Sequence, residues 1–237
     1  MIAAYGLAER LRDLRSPVGI GGVPVEIVRH RSLAVAVTRH ASPPARSRDA
    51  ILAHAGVCED LMANADAVLP VRFGEVFADE AALRASIDDR HDRLFAGLAH
   101  VRGRVEIGVR VGWDDGEGTS IPRPADGAGS DGSTGGRAYL MARVEDERRR
   151  QEVQRRAQSI AGEIHAAISR HAADSRLQVL PTAGLAMSGV YLVDRADLDR
   201  TIARVRETAR EHPQLDVLCT GPWPPYSFAD VEDTRVN

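Results

Sequence analysis

From residue 104 to residue 113 apolar and polar positions alternate, with Val105, Ile107, Val109, Val111 and Trp113 on one face and Arg104, Glu106, Gly108 and Arg110 on the other. A period of two is that of a half-buried strand, and this is the clearest strand in the chain. Farther on, Leu140, Val144, Val153, Ala157, Ile160, Ile164 and Ile168 recur at helical spacing. They predict a helix over about residues 138–172, roughly 50 Å long at ~1.5 Å per residue. In its middle, acids stand four residues before arginines (Glu145 and Arg149, Asp146 and Arg150, Glu152 and Arg156), pairs that support a solvated helix face rather than a nucleic-acid contact. Two apolar runs at residues 177–180 and 185–193, with Pro181, Thr182, Ala183 and Gly184 between them, predict a hairpin. Asp194 is placed to cap a second helix with the stripe Leu198, Ile202, Val205 and Ala209, and residues 216–220 supply a last strand. The order β, long α, β, β, α, β is that of a ferredoxin-like sandwich.

The first hundred residues read as a smaller α+β domain. They predict a strand at residues 2–5, a hairpin of residues 23–28 and 33–38, and a helix over 48–64 with Ile51, Ala55, Cys58 and Met62 inward. A strand near residues 68–77 follows, and then Asp79 caps a helix with the stripe Leu83, Ile87, Leu94 and Leu98. The expected fold is therefore α+β in two domains, residues 1–102 and residues 103–237. Residues 114–136, acidic, Gly-rich and almost free of large apolar side chains, are expected as a flexible loop inside the second domain, because they bury too little to offset the entropy of ordering.

Composition narrows the chemistry. All 31 basic residues are arginine and the sequence holds no lysine, which excludes a P-loop, a Schiff-base enzyme and the Ser-x-x-Lys hydrolases. By counting, net charge is about +1 for residues 1–113, about −4 for 114–136 and about 0 thereafter, so no segment has the basic excess of a nucleic-acid binder. Cys58 and Cys219 are too few for a disulfide framework or a thiolate zinc site, which fits a reducing cytosol. Neither a signal-peptide core nor a stretch approaching ~18 apolar residues occurs, so a soluble, unexported protein without a membrane span is expected.

No catalytic constellation emerges, and the chain is expected not to be an enzyme and to hold no metal or cofactor. The closest histidines on one predicted helix, His165 and His171, are six apart and face different ways. The glycines of residues 19–22 lack the G-x-G-x-x-G spacing and read as a turn before the hairpin. Ser188 has no nucleophile elbow around it. With 4% aromatic residues the sheet has no stacking platform for RNA, and Tyr191 reads as core.

Two segments stand apart. In LPVRFGEVF, residues 69–77, Pro70 and Gly74 bracket Arg72 and Phe73 inside an apolar strand. Pro70 cannot donate to a ladder and Gly74 permits a bulge, so this strand is expected at an edge or bent; Arg72 calls for an acidic or carbonyl partner. In GPWPPYSF, residues 221–228, three prolines forbid a helix and present Trp223, Tyr226 and Phe228 from a stiff extended backbone. Such a segment either folds back across the domains as a clasp or meets a partner directly.

These two segments, in their order and separation, resemble the signature motifs of the GvpF/GvpL family of gas vesicle proteins, and the opening residues 1–6 are similar to the start of that family as well. The resemblance implies a cytoplasmic protein needed to build gas vesicles, either as a minor vesicle component or as an assembly factor, with the small hydrophobic shell protein GvpA as its partner. A subunit that polymerises into a gas-facing wall must expose apolar surface beforehand, and a protein that covers it limits premature aggregation. By the same resemblance Pro70, Arg72, Phe73 and Gly74, with Gly221, Pro222, Trp223, Pro224, Pro225 and Tyr226, are structural or interface residues rather than catalytic ones. The competing reading is a small-molecule enzyme or sensor that uses a cleft between the domains, with Arg72 as an anion ligand.

Overall fold

The alternating segment of residues 104–113 is strand β6 (Arg104–Trp113), and all five of its apolar positions are buried. It lies centrally in one of two sheets of an α+β structure. The computed structural model describes residues 1–12, 17–113, 134–182 and 184–229. Contact density divides the chain into two units: the first holds Met1–Ile107, Leu192–Ala196 and the described residues from Gly221 onward, the second Gly108–Tyr191 and Asp197–Thr220.

The first sheet contains β1 (Ile2–Glu9), β2 (Glu26–His30), β3 (Leu33–Arg39), β4 (Ala67–Pro70) and β5 (Val76–Phe77). Its order is β2-β3-β1-β4, and β5 also pairs with β1. Its ladders are antiparallel. Segment 67–77 is thus not one strand but two pieces laid along β1, Gly6 opposite Pro70 and Ile2 opposite Phe77. The break between them falls where Pro70 lacks an N–H and Gly74 takes φ +94°, a conformation that costs glycine nothing.

Helix α1 (Arg48–Asn64) has the bounds its sequence predicts, and the Ser47 hydroxyl caps it by accepting from the Ala50 N–H. Its inward face is different from the expected one. Ala50, His54, Val57, Cys58 and Leu61 are buried, whereas Ile51 is 44% and Leu52 59% exposed. The reason is visible in the sequence: α1 carries two overlapping apolar stripes that share Cys58, and periodicity alone does not rank them. Asp79 caps α2 (Glu80–Asp89) through the Ala82 N–H, as expected. The single helix expected after Asp79 is two, however, because the backbone leaves helical values at Arg90 before α3 (His91–Val101) begins. Leu83, Ile87, Leu94 and Leu98 nevertheless remain buried.

The second sheet has the order β7-β8-β6-β9, with β7 (Asp174–Thr182), β8 (Leu185–Asp194) and β9 (Leu215–Trp223) joined through α4 (Thr134–Ser169) and α5 (Leu198–Glu211). Counted from β6, this is the 4-1-3-2 arrangement of the expected ferredoxin-like βαββαβ fold. In α4 the buried seam is Ala157, Ala161, Ile164 and Ile168. Tyr191 is fully buried and shares a hydrogen bond of 3.2 Å with His165 Nδ1. Asp194 does not cap α5; a short 3-10 turn intervenes, and Asp197 at the cap position makes no side-chain bond. The buried line of α5 is Thr201, Val205 and Thr208 instead of the expected stripe, which keeps only Val205. Of the expected loop at residues 114–136, residues 114–133 lie outside the described residues, and the last three open α4.

The core of the first unit is built on Tyr5. Its hydroxyl accepts from the Ile20 N–H at 2.9 Å and bonds Thr38 Oγ1 at 2.9 Å, while its ring stacks on His54 at 5.1 Å. A Cβ on Gly19 would overlap the Tyr5 hydroxyl and sit 2.7 Å from Thr38 Cγ2, whereas one on Gly56, in α1, would meet nothing. Gly19→Ala should therefore lower unfolding free energy by about 1–3 kcal/mol, and Gly56→Ala should raise it by about 0.4–1 kcal/mol, both read from urea midpoints. Burial lowers the His54 pKa, opposed by its bond to the Val71 carbonyl. The folded state thus favours neutral imidazole: the contribution of His54 is whole above the unfolded value of about 6.5 and shrinks as pH falls below it. The stability gap between the parent chain and His54→Gln should narrow from pH 8 to pH 5, and a gap independent of pH would contradict this.

Candidate functional site

Both motifs identified in the sequence end on the same core. After Pro70 the chain turns through Val71, whose N–H donates to the Tyr5 carbonyl at 2.8 Å and whose carbonyl receives His54 Nε2 at 2.9 Å. Phe73 is half-buried, edge-on to His54 with ring centroids 5.6 Å apart, and packs on the Tyr5 cluster. The Glu75 N–H closes the turn on the Arg72 carbonyl at 3.3 Å. Arg72 itself is exposed. It lines a cavity of about 370 Å³ together with Leu69, Glu75, Arg90 and Arg93, where Arg90 stands 3.6 Å from Glu75.

The second motif enters through Gly221, whose φ is +110° and whose Cβ, if present, would lie 2.8 Å from the Glu106 carbonyl oxygen. Only glycine satisfies both conditions. The Gly221–Pro222 peptide is cis. Pro224 and Pro225 lead into a short 3-10 turn, Tyr226–Phe228, and the Glu106 carboxylate fixes that turn. It accepts the Ser227 N–H at 2.7 Å and the Ser227 hydroxyl at 2.8 Å while only 7% of Glu106 is exposed. A buried carboxylate held by donors in this way is a strong tether.

Tyr226 and Phe228 point inward. The Tyr226 hydroxyl bonds the Cys58 thiol, which burial pushes up to about 12, and Cys58 Sγ in turn donates to the Tyr5 carbonyl at 3.2 Å. Phe228 is buried, with its ring 6.5 Å from that of His100. Trp223 behaves differently, being 44% exposed. A continuous path of contacts thus runs from Ser227 and Tyr226 through Cys58, Tyr5 and His54 to Val71 and Phe73, joining the two motifs within the first unit. Tyr226 and Phe228 pack back within the first unit, and Trp223 is exposed.

Sequence reasoning missed Glu106, His54 and Tyr5. Glu106 sits on the polar face of an alternating strand and reads as solvated. Chemically, the arrangement is a set of packed and bonded groups whose thiol, phenol and imidazole are held in their neutral forms, with Cys58 and Tyr226 raised and His54 lowered by burial. Among the described residues no group of three His, Cys, Asp or Glu lies close enough to hold a metal ion, and no helix is long and apolar enough to cross a membrane. Glu106→Ala leaves the part-buried Ser227 N–H without its acceptor, so it should cost about 1 kcal/mol and speed amide exchange at residues 226–229. Unchanged exchange there would refute the tether.

Comparison with known proteins gives a consistent result. The family model described as gas vesicle synthesis protein GvpL/GvpF matches residues 2–230. The chain is 32% identical to gas vesicle protein L of Streptomyces sp. (strain CB03234), over 92% of this chain and 88% of that protein. It is 29% identical to gas vesicle protein F of the same strain, over 95% and 98%. In fold it matches the crystal structure of GvpF from Microcystis aeruginosa, with TM-score 0.75 at 19% identity over 97% of this chain and 98% of that one. The GvpF structure from Anabaena sp. PCC7120 gives 0.78 at 16% identity, over 98% and 99%. With a family model spanning nearly the whole chain and a curated relative 32% identical over 92% of it, the chain belongs to the GvpL/GvpF family of gas vesicle structural and accessory proteins.

Proposed function

We propose that this gas vesicle accessory protein acts in the cytoplasm as an assembly factor, binding the major shell protein GvpA and shielding its apolar surface until it polymerises. The observation that carries the reading is the second apolar stripe of α1. Ile51 and Leu52 are exposed, Ala55 and Met62 half-exposed beside them, on a helix whose other face already fills the core. On the other flank of α1, Ala50 and Ala53 line a separate groove of about 490 Å³ with Val18, Ile20, Pro44 and Ala45, and Val18 is 60% exposed. An exposed apolar stripe on a helix suits an amphipathic helix or apolar strand of a partner, and exposed apolar surface of this kind marks an interaction site.

The motif residues take a supporting role in this reading. Phe73 and Tyr226 hold the first unit together, so their truncation acts through stability, while Trp223 is the large aromatic motif side chain that stays exposed.

The test is capture of purified GvpA by the intact chain, by Ile51→Glu/Leu52→Glu, by Trp223→Ala and by a chain lacking residues 114–133. The α1 double variant should lose binding at least ~10-fold, as placing two charges in an apolar contact demands. Trp223→Ala and the deletion should stay within about threefold of the intact chain. If Trp223→Ala alone abolishes capture, the interface belongs to the second motif and not to α1. If the folded intact chain captures no GvpA, the assembly-factor reading fails.

A further inference from the structure

Helix α4 is packed only over its second half. From Ala157 onward Ala161, Ile164 and Ile168 are buried, whereas Arg137 and residues 139–152 are exposed. About four turns of helix at 3.6 residues per turn therefore stand without a covering neighbour among the described residues, and isolated helices of that length are marginal in water. They are not uniformly polar: Leu140 is 62%, Met141 64% and Val144 49% exposed. At ~100° per residue Leu140 and Val144 lie about 110° round the helix from the buried seam, so they do not extend it. They form a second face of their own.

The spacing along that face is symmetric. Arg137, Leu140, Val144 and Glu147 follow one another at intervals of three, four and three, the rhythm of a helix-pairing seam. The centre of the set falls at residue 142. A two-fold axis there, relating two antiparallel helices, sets Leu140 against Val144 of a second copy, and Val144 against its Leu140. The same operation sets Arg137 against Glu147 of the second copy at each end. Apolar positions meet apolar ones and each cation meets an anion, with no like charges opposed within the seam. In the single chain the Glu147 Oε1 accepts from Gln151 Nε2 at 3.1 Å, which leaves its second oxygen for the arginine. A partner of different sequence has no reason to match this order; a second copy of this chain matches it by construction.

We propose that this face of α4 is a homodimer contact, formed by antiparallel pairing of residues 137–147 from two copies. The inference is independent of shell-protein binding through α1. So short a seam buries less than the ~1,200 Å² of stable interfaces, which makes the dimer a reversible one.

The experiment is sedimentation equilibrium on the full chain from about 5 to about 500 μM, a range that spans weak association. The parent chain should move from monomer toward twice that mass. Leu140→Glu/Val144→Glu should remain monomeric throughout. Arg137→Glu and Glu147→Arg should each weaken association by about tenfold, by opposing like charges across the seam, and the double swap Arg137→Glu/Glu147→Arg should recover most of the loss. All substituted side chains are exposed, and circular dichroism verifies that the fold is kept. A parent chain that stays monomeric at every concentration overturns the proposal, as does a double swap no better than the single variants. Unaltered self-association in Leu140→Glu/Val144→Glu, accompanied by lost GvpA capture, would assign the face to a partner instead and overturn it equally.

Discussion

A carboxylate taken out of water must be matched, and in the first unit the buried Glu106 is matched by two donors of one residue, the N–H and hydroxyl of Ser227. That requirement organises what surrounds it. The terminal segment has to come close enough for a backbone N–H to reach β6, which puts the Glu106 carbonyl against Gly221 and leaves no room for a Cβ there. Once Ser227 is fixed, its neighbours Tyr226 and Phe228 have one way to go, into apolar packing, and Tyr226 arrives at Cys58. From Cys58 the contacts pass to Tyr5 and His54 and end at the turn of the first motif. The two sequence signatures, some 150 residues apart in the chain, are thus the two ends of a single packed structure. Proline stiffness lowers the entropy of holding the second of them in place.

The parts of the fold that could be read from sequence are those in which one pattern dominates. Strand β6 alternates without exception, and its five apolar residues are all buried. Helix α1 has a capping Ser47 and apolar residues that recur through to Met62, so its extent was readable. Its orientation was not, because Ile51, Ala55 and Met62 compete with Ala50, His54, Val57 and Leu61, and the choice is made by which set the sheet can accommodate. In α5 the buried line uses Thr201 and Thr208, polar residues that a hydrophobicity pattern discounts although Thr201 satisfies its hydroxyl on the Asp197 carbonyl. The break at Arg90 leaves no trace in the stripe because Ile87 and Leu94 are seven apart, two full turns, and stay in phase on either side of it.

The candidate site was half legible for a similar reason. Gly221, Pro222 and Gly74 announce unusual backbone by residue type, and the backbone is indeed unusual at each. Glu106 announces nothing, since a lone acid on the polar face of a strand is ordinarily solvated. Its burial is a tertiary event, caused by a segment more than a hundred residues later.

Of the signature aromatics, Phe73, Tyr226 and Phe228 pack on the protein's own core, and Trp223 is exposed. The two exposed apolar faces, on α1 and on the first half of α4, are also where periodicity and packing disagree: each carries apolar residues at helical spacing that no neighbour among the described residues covers. A soluble monomer with no apolar partner gains nothing from such residues, because exposed leucine and isoleucine add aggregation risk without adding stability. Helix α1 would reach its buried contacts equally well with polar residues at Ile51 and Leu52, and α4 would be a better isolated helix with glutamate or lysine at Leu140 and Val144. Folding alone therefore does not account for these side chains, and these two faces are where the proposed contacts with the shell protein and with a second copy are placed.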